Sequence, residues 1–154
     1  MREFREALKH SEYDYAEGEL LEALPLAEIL GESDRGLASV LYQLGKVYRR
    51  QKDFTKAEPY FWRALPIWVK SVGAERPEMA TSLTGLARLY EAKHEYQKAE
   101  PLVKQAQKIR ENAFGMDHPK ILPSLEEYSS LLKLMNRDLE AKKLDTRRKT
   151  ILTK

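Results

Sequence analysis

A spacing of about 42 residues between matching segments constrains the fold of this 154-residue chain more than any other feature. Three pairs of segments carry the spacing: Ala-Leu-Pro at 23–25 and 64–66, Ala-Glu-Pro at 57–59 and 99–101, and Gly-x-x-x-Pro at 73–77 and 115–119. The first pair is 41 residues apart and the other two are 42 residues apart. A fixed period of this length indicates supersecondary units that stack, because one such unit cannot bury its apolar face alone.

Within one period, the segment 82–109 predicts two helices joined by a short polar turn. Its first half has apolar residues at the i, i+3, i+4 and i+7 spacing of one helix face: Leu83, Leu86, Ala87 and Tyr90. After a polar break, its second half has the same helical spacing: Tyr96, Ala99, Val103, Ala106 and Ile109. The first-helix pattern also occurs one period earlier and one period later: Leu41, Leu44 and Tyr48, then Leu125, Tyr128 and Leu132. The sequence therefore predicts repeated helical hairpins.

The period divides the chain into repeats within a single domain, which is long enough to bury a core. The predicted repeats are about 1–31, 32–73, 74–115 and 116–154. In repeat one we expect a first helix at 1–10, with Phe4 and Leu8 facing inward. Its partner helix is expected from Tyr13 to Leu30.

These helices resemble the tetratricopeptide repeat at its large, small and aromatic positions. The matching residues are Leu44-Gly45 with Tyr48 and Leu86-Ala87 with Tyr90 on first helices, and Ala57, Phe61, Ala64, Ala99, Val103 and Ala106 on second helices. The 42-residue period and the segment 99–119 are similar to the kinesin-light-chain subtype, and the resemblance covers nearly the whole chain. It implies an all-α fold, a right-handed α-solenoid of about four helical hairpins.

The last helix is predicted to be a polar cap. Between 137 and 154 there are seven Lys and Arg residues against Asp138, Glu140 and Asp145, and terminal repeats need a polar outer face. Asp145 and Arg148 also replace apolar residues of the second-helix pattern. The alternative is a basic patch for nucleic acid or an acidic membrane surface. We favour the cap, with no nucleic acid and no membrane as partner, because no aromatic residues interleave the basic ones.

Composition and motifs argue against several chemistries. The chain has no cysteine, so disulfides and thiolate metal sites are excluded. His10, His94 and His118 are far apart in the repeat array, and no phosphate-binding glycine loop or metalloprotease motif is present. We therefore expect no catalytic residue, no metal site and no cofactor. The chain also has no apolar run near the roughly 20 residues that span a bilayer, and we expect it in the cytoplasm.

The resemblance implies that the first helices line a concave groove suited to an extended segment or a helix. Transferred position by position, the predicted groove residues are Tyr42, Gln43, Lys46, Arg49, Arg50, Thr84, Arg88 and Glu126. Tyr42 and Gln43 stand where kinesin-light-chain-like repeats often carry asparagines that hold a peptide backbone. The register also implies that Arg88 lies beside Lys46, one repeat further along. Such a site favours a ligand with acidic residues and an apolar or aromatic anchor.

These observations predict a non-catalytic scaffold that binds a protein or peptide segment. The alternative is a self-assembling structural or adaptor element, since an acidic first repeat and a basic last helix could pair head to tail, or a fragment of a larger regulatory protein. We expect a monomer, because exposed charge pairs each contribute only ~0–1 kcal/mol.

Overall fold

The computed structural model describes residues 2–31 and 33–154, with side chains described from His10 onward. Over these residues the chain consists of α-helices and one short 3₁₀ turn, with no β-strand. The helices are α1 (Arg2–Ile29), α2 (Arg35–Arg50), α3 (Phe54–Val72), α4 (Pro77–Ala92), α5 (Tyr96–Phe114), α6 (Leu122–Leu134) and α7 (Asp138–Leu152), and the 3₁₀ turn is Pro119–Ile121. The predicted all-α helical-repeat class is therefore confirmed.

Three hairpins, α2–α3, α4–α5 and α6–α7, have the same turn geometry. The turn residues are Lys52, His94 and Asn136, each in the left-handed region with φ of 64°, 60° and 58°. In the first turn, the Asp53 N–H donates to the Tyr48 carbonyl at 2.9 Å and the Lys52 N–H to the Arg49 carbonyl at 3.1 Å. This pair of bonds satisfies carbonyls that a helix end leaves unpaired. The turn residues are 42 apart, so the sequence period is a period of backbone conformation.

Repeat one does not form the predicted hairpin. Helix α1 continues from Arg2 to Ile29 without a turn between His10 and Tyr13. A turn interrupts the backbone hydrogen bonds of a helix, and packing between the two arms has to offset that loss. The continuous helix α1 keeps those backbone hydrogen bonds. Phe4 and Leu8, predicted to face inward, lie outside the residues whose side chains are described.

The chain divides into two compact units, Met1–Val72 and Gly73–Lys154, which are described separately; the number of domains stays a prediction. In the first unit, one buried cluster of described residues joins α1 to α2 and α3: Ala27, Leu37, Ala38, Leu41, Ala64 and Ile67. The Phe61 ring packs so closely over Gly45 that a Cβ there would lie 3.0 Å from the ring. The predicted large and small positions therefore pack against each other.

In the second unit, α4 and α5 bury the predicted apolar stripe against each other. The buried residues include Leu83, Leu86, Ala87, Tyr90, Ala99, Val103, Ala106 and Ile109. Helix α7 contributes only Ala141 and Ile151 to the buried core, and Ile151 packs with Ile121 and Leu125. No helix in the described part of the chain is long and apolar enough to cross a membrane.

Candidate functional site

An open groove lies between α1 and α2 in the first unit, and we call it the α1–α2 groove. It has a volume of about 300 Å³ and is lined by Glu12, Tyr13, Ala16, Gln43, Lys46, Val47 and Arg50. The structure thus brings together three of the predicted groove residues, all on α2. The Arg50 guanidinium carbon lies 6.0 Å from the centroid of the Tyr13 ring, close enough for a cation–π contact.

Hydrogen bonds to Glu17 hold α1 against α2. The Tyr48 hydroxyl donates to Glu17 Oε1 at 2.8 Å, and the Gln51 side-chain amide donates to Glu17 Oε2 at 2.9 Å. Burial and the hydrogen bond to Glu17 raise the pKa of Tyr48, so the tyrosine stays a donor throughout the physiological range. The position of α1, and with it the shape of the groove, is therefore set by partly buried polar contacts as well as by apolar packing.

Glu17 has a counterpart in the second unit. Glu17 follows Ala16 as Glu100 follows Ala99, and Glu100 Oε1 accepts hydrogen bonds from the Tyr128 hydroxyl at 3.1 Å and from Arg137 at 2.7 Å. Desolvation opposes ionisation of Glu100, but hydrogen bonds from Lys104, Arg137 and Tyr128 outweigh it and lower the pKa of Glu100. In both units this glutamate joins a helix to the next first helix. Residues 13–29 of α1 therefore hold the place of a second helix, as predicted for Tyr13 to Leu30.

The predicted residues Tyr42 and Arg49 are half-buried on α2. The Tyr42 ring packs edge-on against Phe61, with the ring centroids 5.7 Å apart. The Lys46 ammonium lies 5.6 Å from the centroid of the Tyr42 ring. Tyr42 therefore packs within its own hairpin and also makes a cation–π contact with Lys46.

In the second unit, the predicted residues Thr84 and Arg88 contact α6. Arg88 Nε lies 2.7 Å from Glu127 Oε1, and the Thr84 hydroxyl donates to Glu127 Oε2 at 3.3 Å. The Thr84 oxygen in turn accepts a hydrogen bond from Arg110 at 3.3 Å. Only 10% of the Glu127 side chain is exposed. A ligand would have to compete with Glu127 for these two residues.

The structure places Glu127 beside Thr84 and Arg88, while the predicted groove residue Glu126 is its neighbour on α6. Glu126 points toward α7, where its Oε2 lies 3.2 Å from an Arg148 nitrogen. Sequence reasoning missed Glu127 because it is adjacent to another glutamate and the spacing alone favoured Glu126. It missed Tyr13 and Ala16 because the expected first helix of repeat one would have covered them. Ligand binding by any of these residues stays a prediction.

Several basic side chains near the end of the chain pair with acidic ones inside the second unit. Arg137 pairs with Glu100 and Glu140, Arg147 with Glu111, Arg148 with Glu126 and Asp145, and Lys154 with Asp117. These pairings partly neutralise the basic run within the chain itself. They favour the predicted cap over a basic patch for nucleic acid.

The histidines and acidic residues show no convergent arrangement for chemistry. His94 Nδ1 lies 2.8 Å from the Tyr96 hydroxyl, and His118 Nδ1 accepts the Lys120 N–H at 3.1 Å. Within the described residues, no group of three or more histidine or acidic side chains could hold a metal ion.

Repeated helical hairpins with one turn geometry define a helical-repeat protein. The sequence profile of the tetratricopeptide repeat matches three overlapping stretches, 8–68, 36–112 and 78–154. The chain therefore belongs to the tetratricopeptide repeat family. Repeats of this family generally mediate protein–protein interaction, and its members are typically scaffolds rather than enzymes.

Solved structures with similar folds are kinesin-light-chain-like repeat proteins. BtubC (BKLC) from P. vanneervenii matches with a TM-score of 0.84 and 22% identity over 95% of this chain, which spans 61% of the length of that protein. A putative kinesin light chain of Podosopora anserina with nearly identical TPR-like repeats matches with a TM-score of 0.70 and 22% identity, covering 94% of this chain and 74% of that one. A search of curated proteins finds no match. The similarity confirms the resemblance in fold.

Proposed function

We propose that the chain is a non-catalytic scaffold that binds a peptide or protein segment through its first helices, chiefly at the α1–α2 groove. The observation that carries the proposal is the groove itself, which is open and lined by Lys46, Arg50 and Tyr13. Cationic side chains beside an aromatic ring are a combination that protein interfaces use for anchoring. The contact set is the predicted one on α2: Tyr42, Gln43, Lys46, Arg49 and Arg50.

The lining of the groove favours an acidic ligand with an apolar or aromatic anchor. Ala16 and Val47 offer apolar surface, while Lys46 and Arg50 offer positive charge along the α2 side. An acidic segment would gain steering and specificity from those charges, and an apolar side chain would gain affinity from burial. Thr84 and Arg88 are secondary contacts in this proposal, because Glu127 already occupies them. Glu126 is likewise a secondary contact, because it pairs with Arg148 on α7.

The proposal includes a monomer in the cytoplasm. Pairing of basic side chains with acidic residues of the same unit leaves less positive charge for head-to-tail assembly, and a chain with no cysteine suits a reducing compartment. Sedimentation at low salt and high protein concentration tests the first point. A mass that rises on concentration and falls with added salt would favour self-assembly instead. Microscopy of a fluorescent fusion tests the location.

A peptide selection followed by charge reversal tests the binding site. Peptides selected on the folded wild-type chain are titrated against a Lys46→Glu, Arg50→Glu variant. We expect a loss of about 2–3 kcal/mol, which is about 30- to 150-fold in affinity. The matched control is Lys142→Glu, Lys143→Glu, which makes the same charge change at exposed positions of α7 and should change affinity by less than about threefold.

Circular dichroism and thermal melting establish that both variants fold. Equal losses in the two variants would show that binding depends only on net charge. Full retention of binding in the folded Lys46→Glu, Arg50→Glu variant would place the ligand elsewhere and refute the site.

A further inference from the structure

We propose that the α1–α2 groove receives a helix from a partner protein, an amphipathic helix with acidic residues on one flank, which takes the place of the first helix in repeat one. This inference rests on the proposed function and names the partner class for the same site. It follows from comparing the groove with the corresponding place in the second unit, where a first helix is present.

The first step concerns apolar surface that a first helix would cover. On α3, Ala57, Phe61 and Ala64 are fully buried against α2. Their counterparts 41 residues earlier on α1 are Ala16, Leu20 and Ala23, and all three are only half-buried. Ala16 lines the open groove. Helix α1 thus presents the apolar strip of a second helix, and within the described residues no helix lies across it as α2 lies across α3.

The second step concerns polar contacts between consecutive first helices. In the second unit, α4 presents Thr84 and Arg88 to Glu127 on α6. The residue of α2 that corresponds to Glu127 is Gln43, two periods earlier. In the first unit, α2 therefore presents its Gln43 side to the place where a preceding first helix would lie. That side is the wall of the α1–α2 groove.

The third step concerns charge, which selects the partner. The α2 wall of the groove carries Gln43, Lys46 and Arg50 in place of an acidic residue. A helix in the groove is complementary when it carries acidic residues where α4 carries Thr84 and Arg88. Those acids belong on the flank that faces α2, because the opposite wall contains Glu12.

The same charges argue against α2 or α4 of a second copy as the occupant. At the position that Arg88 holds on α4, α2 carries Lys46. Either of these helices from another copy would bring a like charge toward Lys46 and Arg50. On α6, the acidic residue in this register is Glu126, which already pairs with Arg148 of its own hairpin. The segment before Ser11 is part of continuous helix α1 and is not placed in the groove.

Two peptides test the inference on the full chain. Both have the sequence of α4, residues 77–92, with Pro77→Glu and Thr81→Lys substitutions whose side chains are joined as a lactam with loss of water. The lactam holds the helix, because short isolated helices are marginal in water. One keeps Thr84 and Arg88, and the other carries Thr84→Glu and Arg88→Glu. We expect the acidic peptide to bind at least about tenfold more tightly in fluorescence anisotropy titrations, as two favourable ion pairs in a partly buried site would give.

Charge reversal on the protein completes the test. In the Lys46→Glu, Arg50→Glu variant the preference should invert, so that the unmodified peptide binds more tightly. Amide chemical shifts should change in α1 and α2 when the acidic peptide binds to the wild type. Equal affinity for the two peptides, or an unchanged order of affinity in the variant, would overturn the inference.

Two further outcomes separate this inference from the proposed function. If neither helical peptide binds while selected peptides still bind through Lys46 and Arg50, the helix inference is wrong and the proposed function stands. If raising the protein concentration alone shifts the α1 and α2 amide signals, a second copy occupies the groove and the inference is wrong as well.

Discussion

The hairpins α4–α5 and α6–α7 share the same turn and the same small residue at the helix crossing, but different side chains lie between their two helices. Both turn at a left-handed residue, His94 or Asn136, and both bury an alanine at the crossing point, Ala99 or Ala141. Further along the second helix, α5 places Val103 and Ala106, each 1% exposed, against α4. At the corresponding positions 42 residues later, α7 has Asp145 and Arg148, which are half-buried.

In the α6–α7 hairpin, polar side chains join the two helices where apolar side chains join α4 to α5. Asp145 accepts a hydrogen bond from the Ser129 hydroxyl and another from the Lys133 ammonium, both at 2.7 Å. Arg148 links Asp145 to Glu126. The comparison teaches that the turn and the crossing-point alanine define the hairpin. The surface beyond them can be apolar or polar, provided that each buried charge has its partners on the facing helix.

The largest expected effect comes from placing on α5 the carboxylate that α7 has at Asp145, without the residues that bind it there. Val103→Asp would face Ala87, where α6 has Ser129, and Glu91, where α6 has Lys133. A buried carboxylate without a donor should lower the free energy of unfolding by about 3–5 kcal/mol, measured by urea denaturation. Adding Ala87→Ser and Glu91→Lys should recover part of the loss. A triple variant no more stable than Val103→Asp would show that the serine and lysine partners do not explain why α6–α7 tolerates Asp145.

The crossing-point alanines should respond alike in the two hairpins. Ala99→Leu overpacks a fully buried position and should cost about 1–3 kcal/mol of unfolding free energy. Ala141→Leu should cost a similar amount if the crossing point matters equally in α6–α7, where polar side chains join the helices. The denaturation midpoints of the two variants test this. An unchanged midpoint for Ala99→Leu would mean that the repeat register is wrong.

Acid should weaken the α6–α7 hairpin at Asp145. Hydrogen bonds from Lys133 and Ser129 lower the pKa of Asp145 below its ordinary value of 3.8. A lowered pKa contributes stability above the ordinary value, and that stability is lost as pH falls through the lowered one. Asp145→Asn should therefore cost about 1–2 kcal/mol at pH 7, with a smaller difference from wild type near pH 3. A difference that stays constant between these pH values would contradict the assignment.

The smallest expected effect separates the two neighbouring glutamates. Glu126→Ala removes the exposed ion pair with Arg148 and should change the free energy of unfolding by less than about 1 kcal/mol. Glu127→Ala leaves Thr84 and Arg88 without their carboxylate and should cost about 1–3 kcal/mol. The ratio of the two losses in urea denaturation is the measurement. Equal losses would mean that α6 is rotated relative to the structure.

The sequence predicted the parts of the fold that repeat. The period and the apolar stripe identified the hairpins, and Leu86, Ala99 and Val103 are buried as expected. The three turn residues have no common identity, being lysine, histidine and asparagine, so only their spacing marks them. The continuity of α1 was not predicted, because it depends on the difference in free energy between one continuous helix and a hairpin. A local sequence pattern does not report that difference.

The candidate site was predicted less completely than the core. An apolar stripe fixes a helix face only within an arc of roughly 100°, and adjacent residues differ by about that angle. The pattern therefore does not distinguish Glu126 from its neighbour Glu127 as a groove residue. Gln43, Lys46 and Arg50 line one groove because they follow one face of a single helix, and their role in binding stays a prediction. Tyr13 and Ala16 were not predicted, because the expected first helix of repeat one would have covered them.

The three left-handed turns also make the protein suitable for following each hairpin separately. Lys52, His94 and Asn136 are exposed and share one backbone conformation, and the chain has no cysteine of its own. A single cysteine at any one of them would give a unique attachment point for a fluorophore in an equivalent local geometry. Three such labelled proteins would report the opening of α2–α3, α4–α5 and α6–α7 individually. Repeat proteins are stabilised mainly by neighbouring contacts, so they can unfold segment by segment, and these labels would show the order.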